Sequence, residues 1–308
     1  MKPKKLLIPL ILGLMFIGPP AKAQQVPYYT QFMMNDYLIN PAVAGTRNHY
    51  QIRANSRIQW VGMTDAPRTN SISVYGPSKN RPMGWGGYFY HDVTGPTSRT
   101  SVNGSYAYNI ALNDMMRLSG GITFGLMQYK LDGTQINIGD EVDYDPVFTG
   151  NVETAFIPDA SIGLYLYSSQ YYVGLSSHQL LGNKLNLHSP VDSVSNDEGI
   201  NRLKQHIYLS GGMLFLLGRD WVLQPSVLLK TMFPGQFQVD INAKVTYDTK
   251  VWGGLSFRSG DAVAVMVGYN YEGKFYFGLS YDITYSELRR YSSGTYEVML
   301  GVRFDDIR

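Results

Sequence analysis

The stretch Thr295-Tyr296-Glu297-Val298-Met299-Leu300-Gly301-Val302-Arg303-Phe304 alternates between two kinds of side chain. One parity is wholly apolar, while the other carries Glu297 and Arg303. Because successive side chains of a strand point to opposite faces, the stretch predicts a strand with one apolar and one polar face. Two interpretations are open for this stretch alone, namely the closing strand of an outer-membrane barrel and an edge strand of a water-soluble sheet.

The same alternation recurs along the chain from Tyr50 onward and predicts about fourteen strands, an even number. It is most regular in the stretch 237–247, where six apolar residues alternate with five polar ones. The predicted strands cover 50–60, 68–75, 84–91, 101–108, 116–129, 157–167, 171–177, 207–215, 221–232, 237–247, three further stretches between 251 and 284, and 295–304.

The lengths of the connections give an independent test of the barrel. Tight turns follow the even-numbered predicted strands, whereas the two long connections, 131–155 and 178–203, follow the fifth and seventh strands. Outer-membrane barrels place short turns on the periplasmic side and longer loops outside. The sequence therefore predicts an all-β, transmembrane antiparallel β-barrel of about fourteen strands with long extracellular loops and short periplasmic turns.

The chain has 308 residues and no cysteine, so no disulfide supports the fold. Its first residues combine three lysines, an apolar run and the cleavage motif Ala21-Lys22-Ala23, which together predict a signal peptide over 1–23. The apolar run is too short for a membrane anchor. We therefore expect three parts, namely the signal peptide, an N-terminal periplasmic or plug segment over 24–48, and the barrel over 49–308.

The segment 24–48 is rich in aromatic residues but shows no regular period. A solvated polar tail would lack these side chains, so we expect the segment to pack in the lumen or at the periplasmic mouth. A contact with a secreted or envelope partner is the alternative that remains open. The residues predicted to make the partner or plug contact are Gln31, Phe32, Asn40, Pro41 and Gly45.

Charged residues of both signs lie on the predicted inner face of the barrel. Buried charges need partners, so an interior ion-pair network is one interpretation, and a binding surface for a plug or polypeptide is the other. The mixed signs do not suggest an ion-selective pore. The predicted lumen network consists of Arg53, Arg57, Lys230, Asp240, Lys244, Arg258, Asp282, Glu297 and Arg303.

Clustered carboxylates in the first long loop suggest a calcium site or a solvated acidic loop, since calcium prefers oxygen ligands. Their spacing does not match an EF-hand loop. The residues concerned are Asp132, Asp140, Glu141, Asp143 and Asp145.

Signals for enzymatic chemistry are weak. No Gly-x-Ser-x-Gly or His-Glu-x-x-His motif is present, and the closest approach to a nucleophile and base is Ser176 with His178. We therefore expect no enzymatic activity, no cofactor and no metal. The formal net charge of +2 gives no indication of nucleic-acid binding.

The mature N-terminus contains Tyr29-Thr30-Gln31-Phe32 and Asn40-Pro41-Ala42-Val43-Ala44-Gly45-Thr46. Further motifs are Arg57-Ile58-Gln59-Trp60, Gly86-Gly87, Pro158-Asp159, Asn242-Ala243 and Ser280-Tyr281-Asp282. In these motifs, which extend over nearly the whole mature chain, the sequence resembles the PorP/SprF family of Bacteroidetes.

The resemblance implies a non-enzymatic outer-membrane component of the type IX secretion system, linked in many members to gliding motility. It implies that the protein supports export or surface anchoring of a secreted adhesin through the adhesin's C-terminal domain. The expected partners are that domain, envelope components of the secretion machine and outer-membrane lipid. An outer-membrane porin or a transporter of hydrophobic compounds is the alternative function.

Overall fold

The structure is a computed structural model that describes residues 26–136, 151–185, 202–232, 235 and 237–304. The predicted signal peptide lies outside these ranges. None of the helices in the described residues has the length and apolar character needed to cross a bilayer.

The described residues form one antiparallel sheet of fifteen strands. The strands are β1 (Tyr50–Ile58), β2 (Arg68–Pro77), β3 (Met83–Thr94), β4 (Thr97–Ala111), β5 (Arg117–Asp132), β6 (Val152–Tyr167), β7 (Tyr171–His178), β8 (His206–Met213), β9 (Phe215–Leu217), β10 (Trp221–Met232), β11 (Phe237–Tyr247), β12 (Val251–Arg258), β13 (Ala262–Tyr271), β14 (Phe275–Thr284) and β15 (Thr295–Phe304).

The sheet closes on itself because the first strand, β1, pairs along its whole length with the last, β15. Strands β8 and β9 are two parts of one position, separated at Leu214, and both pair with β10. The barrel therefore has fourteen strand positions, and the predicted closed antiparallel barrel is confirmed.

The two faces of the strands differ as the alternation predicts. In β15, the side chains of Val298 and Leu300 are exposed on the outside, whereas those of Glu297 and Met299 are buried. Large apolar side chains are exposed in the same way on the other strands of the barrel. In water such a continuous apolar surface would be unstable, so this belt is the surface that contacts lipid.

Several strand ends differ from the sequence-based prediction, most clearly in β1, β5 and β6. Strand β1 ends at Ile58, because Trp60 has a positive φ of 47° that an extended strand cannot contain. Strands β5 and β6 are longer than predicted, and their ladder continues to the pair Asp132–Val152. Several of the added residues, such as Lys130 and Glu153, are polar and interrupt the apolar alternation, although the main-chain hydrogen bonds continue the hairpin.

The two ends of the barrel differ in their connections. One end carries the turns 78–82, 112–116, 168–170, 218–220, 248–250 and 272–274, and we call it the turn end. The other, the loop end, carries the connections of 133–151 and 179–205. Since barrels keep their short turns in the periplasm, the turn end faces the periplasm and the loop end faces the cell exterior.

Candidate functional site

The interior of the barrel is occupied by residues 26–49, which we call the inner segment. It contains three short 3-10 turns, at Phe32–Met34, Asp36–Leu38 and Pro41–Val43. Its aromatic side chains Phe32 and Tyr37 are almost fully buried. The segment begins near the loop end, passes down the interior, and leads into β1 at the turn end.

Asn40 and Pro41 fix the third turn of the inner segment. The Asn40 side-chain oxygen accepts a hydrogen bond from the Ala42 amide at 3.0 Å, which is the usual role of an N-cap residue. Its side-chain amide donates to the Leu164 carbonyl on β6, also at 3.0 Å. Pro41 suits the first position of the turn, since it has no amide hydrogen to satisfy. One side chain therefore stabilises the turn and joins it to the wall.

Two glycines of the wall let the inner segment approach the strands closely. A Cβ atom on Gly121 of β5 would lie only 2.5 Å from the Ala42 nitrogen. A Cβ on Gly84 of β3 would lie 2.3 Å from the Ala44 carbonyl carbon. Such distances are impossible for real atoms, so these positions accept only glycine while the segment keeps its path.

An ion-pair network fills the loop half of the interior. Arg57 of β1 pairs with Asp282 of β14 at 2.8 Å and with Glu297 of β15 at 3.1 Å. Arg258 of β12 pairs with the same Asp282 carboxylate at 3.0 Å. Buried charges of this kind are stable only when they are paired and hydrogen-bonded, as they are here.

The network continues around the barrel to β10 and β11. Lys230 pairs with Asp240 at 2.9 Å, and Arg258 lies 3.5 Å from the other oxygen of Asp240. Arg258 also pairs with Asp261 at 3.0 Å. The network thus joins the three cations Arg57, Lys230 and Arg258 to four carboxylates, a nearly balanced set.

The start of the inner segment is bound into this network. The amides of Thr30 and Gln31 donate to the two oxygens of Glu297, at 2.7 and 3.1 Å. The Tyr28 hydroxyl donates to Asp240 at 2.8 Å. The Tyr28 ring lies 3.4 Å from the Lys230 nitrogen and 3.8 Å from the guanidinium carbon of Arg258, which are cation–π contacts. The charges of the wall therefore hold the segment in place.

Ser176 and His178, the pair weighed above for catalysis, contact the inner segment. Both donate hydrogen bonds to the carbonyl oxygen of Ile39, His178 through its Nε2 at 2.8 Å. This places a hydrogen on Nε2, so Nδ1 of His178 accepts from the Ser161 hydroxyl at 3.2 Å. The two side chains fix a backbone position and do not form a nucleophile–base pair.

The structure brings together most of the predicted lumen network. Arg57, Lys230, Asp240, Arg258, Asp282 and Glu297 lie in the connected set described above. Arg53 and Lys244 also point inward, but they lie toward the turn end and outside that set. Arg303 lies on the same face near the end of β15, opposite Gln51 in register.

The five residues predicted for a partner or plug contact lie in the inner segment. Gln31, Phe32, Asn40 and Pro41 are buried against the strands of this chain, and Gly45 packs on Gly84. A role for these residues in binding another protein stays a prediction.

The sequence did not assign Tyr28, Thr30 or Asp261 to the lumen network, although each contacts its charged side chains. The Thr30 hydroxyl accepts from Arg57 at 2.6 Å and from Arg258 at 2.9 Å, and it donates to Asp282. The available signal was the position of Tyr28 and Thr30 in a segment already marked by its aromatic residues. Their partners are more than two hundred positions away in the chain, apart from Arg57.

Within the described ranges, no group of three or more histidine or acidic side chains is arranged to hold a metal ion. Asp132 accepts hydrogen bonds from Thr134 and Gln135, and it caps a short 3-10 turn. The other carboxylates of the predicted acidic loop, Asp140, Glu141, Asp143 and Asp145, lie outside the described residues. Calcium binding by this loop stays a prediction.

The fold and its filled interior define an outer-membrane β-barrel. Residues 21–302 match the family model of the type IX secretion system membrane protein PorP/SprF. The chain therefore belongs to the PorP/SprF family, as its motifs indicated, and its location is the outer membrane. Among curated proteins, no match was found. The family and the barrel fold are typical of non-enzymatic membrane proteins.

Solved structures with a similar fold are also outer-membrane barrels. The CymD monoaromatic hydrocarbon channel is 10% identical over 93% of this chain and 96% of its own, with a TM-score of 0.51. The Ralstonia pickettii toluene transporter TbuX is 9% identical over 88% of this chain and 92% of its own, with a TM-score of 0.50. At this level of identity the likeness concerns the fold alone.

Proposed function

We propose that this protein is a non-enzymatic part of the type IX secretion machinery that helps to export or anchor a secreted adhesin at the cell surface. In this role the barrel is a membrane-embedded support, and the loop end holds the C-terminal domain of the adhesin. Family membership supports the link to the secretion machinery. A connection with gliding motility is part of the proposal.

The observation that carries the proposal is the occupied interior. The inner segment is fixed to the wall at both ends, through Thr30 and Gln31 near the loop end and through Asn40 further down. Charged pairs fill much of the remaining space in the loop half. A barrel filled in this way is suited to present surfaces at its two ends, and poorly suited to pass solutes.

The loop end offers exposed side chains of the kind that dominate protein interfaces. The connection 285–294 carries a short 3-10 turn, Glu287–Arg290, followed by Tyr291, which is 70% exposed. Arg289 and Arg290 are exposed beside it. Arginine and tyrosine are enriched among the residues that contribute most to binding. This connection is therefore our candidate for part of the adhesin contact.

The alternative function is a porin or a transporter of hydrophobic compounds. Two barrels of similar fold are a monoaromatic hydrocarbon channel and a toluene transporter. The likeness does not extend to their transport function, since identity is about one residue in ten. The occupied interior favours the binding role over this alternative.

The test is purification of the full-length tagged protein from native outer membranes, followed by quantitative mass spectrometry. We expect a secreted protein with a C-terminal secretion domain and envelope components to be enriched over an unrelated tagged outer-membrane barrel. The double variant Arg290→Ala/Tyr291→Ala should lower recovery of the secreted protein, whereas Arg219→Ala at the turn end should not. Recovery of the barrel without any secreted or envelope protein would contradict the proposal.

A further inference from the structure

The turn half of the interior contains positive charge that the described residues neutralise only in part. Lys244 of β11 contacts the Met34 sulfur at 3.4 Å and faces the Trp252 ring at 5.8 Å. Arg53 of β1, only 5% exposed, contacts Gln51, the Met299 sulfur and the Tyr276 ring. No carboxylate of the described residues forms an ion pair with either cation.

A third cation, Arg47, acts on the same region. The positive charges of Arg47 and Arg53 both repel that of Lys244, while Asp36 attracts it. Asp36 is the carboxylate that pairs with Arg47, at 3.5 Å. Among the described residues, Lys244, Arg53 and Arg47 thus lie near a single carboxylate, Asp36, in contrast to the nearly balanced network of the loop half.

A cavity of about 210 Å³ lies beside these charges, at the turn between β6 and β7. Lys244, Arg47 and Asp36 line it, together with the turn residues 168–170. Ser226 and Gln224 also line the cavity, and Asp36 is the one carboxylate among its described lining residues. The cavity therefore combines positive charge with side chains that can donate hydrogen bonds to an anion.

Another part of the cavity wall is aromatic and apolar. Tyr165 and Tyr172 stack with ring centroids 5.4 Å apart, and Met33, Leu214 and Pro225 lie beside them. A free inorganic anion would contact the cations but would leave the aromatic and apolar part of the wall without a contact. A carboxylate attached to an apolar or aromatic group would satisfy both parts of the cavity.

We propose that this cavity binds a carboxylate that is attached to an apolar or aromatic group and reaches the barrel from the periplasm. Lys244 supplies a partly buried charge, and Arg47 supplies an exposed guanidinium that suits a carboxylate. The tyrosines contact the attached apolar group. Arg53 does not line the cavity and contributes through its charge. The site is at the opposite end from the proposed adhesin contact and does not depend on it.

The test uses the full-length protein in nanodiscs and isothermal titration calorimetry. The probe is N-acetyl-phenylalanine, which carries a carboxylate on an aromatic residue, and its control is N-acetyl-phenylalanine amide. We expect the acid to bind and the amide to bind at least ten times more weakly. Lys244→Met should weaken binding of the acid at least tenfold, whereas Lys244→Arg should retain most of the affinity. Lys250→Met, at an exposed lysine of the same end, is the control and should leave the affinity unchanged.

Three results would overturn the proposal. The first is equal binding of the acid and the amide, and the second is unchanged binding of the acid by a folded Lys244→Met variant. The third is tighter binding of inorganic phosphate than of N-acetyl-phenylalanine, which would assign the cavity to a free anion. Heat-modifiable migration on gels establishes that each variant is folded. Because adhesin recovery is measured separately, failure here leaves the proposed function untouched.

Discussion

Arg57 and Glu297 stand directly opposite each other in the register of β1 and β15 and form an ion pair of 3.1 Å across the seam that closes the barrel. The same Glu297 carboxylate accepts the amides of Thr30 and Gln31. One carboxylate therefore connects the first strand, the last strand and the inner segment. Closure of the barrel and filling of its interior depend on the same residues.

Replacement of Arg57 by methionine should destabilise the protein by about 3–5 kcal/mol, since it leaves Glu297 and Asp282 buried without their shared cation. The measurement is urea unfolding of the protein in detergent, followed by the loss of heat-modifiable migration. Arg219→Met, at an exposed turn arginine, is the control and should change the free energy of unfolding by less than about 0.5 kcal/mol. Equal stability of the two variants would show that the seam pair contributes nothing.

Replacement of Lys244 by methionine should raise the free energy of unfolding or leave it unchanged, in contrast to the replacement of Arg57. Lys244 is a partly buried cation that forms no ion pair with a carboxylate of the described residues, and an apolar side chain of similar volume avoids the cost of its desolvation. The same urea unfolding experiment should give a free energy of unfolding equal to or above that of the parent protein. A loss as large as that for Arg57→Met would mean that an acidic partner neutralises Lys244 in the free protein.

The alternation of β15 was readable from sequence because lipid and the barrel interior impose different chemistry on neighbouring side chains. The polar parity of the strands likewise predicted which charges point inward, including Arg57, Asp282 and Glu297. The pairing of these charges was not readable in the same way. It depends on the register of β1 against β15, and those strands are separated by almost the whole chain.

The path of the inner segment could not be predicted from the sequence either. Its aromatic residues indicated packing against the barrel, but Tyr28 contacts Asp240 and Thr30 contacts Asp282, which lie far away in the chain. The segment has no period that could indicate its contacts, since three short turns replace regular structure. The role of Gly121 could not be predicted either, because no neighbouring residue in the sequence distinguishes a glycine that contacts Ala42 from any other glycine in a strand.

Replacement of Gly121 by alanine should displace the inner segment, because the new methyl group would overlap the Ala42 backbone. We expect a loss of about 1–3 kcal/mol in the free energy of unfolding, the usual cost of overpacking. Limited proteolysis of the variant should also cleave within 26–49 faster than in the parent protein. The matched control is Gly104→Ala on β4, where a Cβ meets no atom within 4 Å.

If Gly121→Ala and Gly104→Ala were equally stable and equally resistant to protease, the inner segment would not occupy the position described. A faster cleavage in both variants would instead indicate a general weakening of β4 and β5, and it would also count against the specific contact with Ala42.

Spin labels at neighbouring positions of β15 should lie in different environments, one in lipid and one in the barrel interior. The chain has no cysteine, so single cysteine variants can carry a spin label without further changes. At Leu300, which is 54% exposed on the outer face, we expect strong relaxation by oxygen, which concentrates in lipid, and little by a water-soluble nickel complex. At Met299, which is fully buried, both reagents should have little effect. Strong relaxation of the Leu300 label by the nickel complex would place this face in water.

The most direct measurement of the occupied interior is single-channel conductance of the full-length protein in planar bilayers, with a general porin inserted under the same conditions as the reference. Because the inner segment and the ion-pair network fill the barrel, we expect insertion without stable conductance steps. Regular, long-lived open steps comparable to those of the porin would contradict a filled barrel and would favour a transport function.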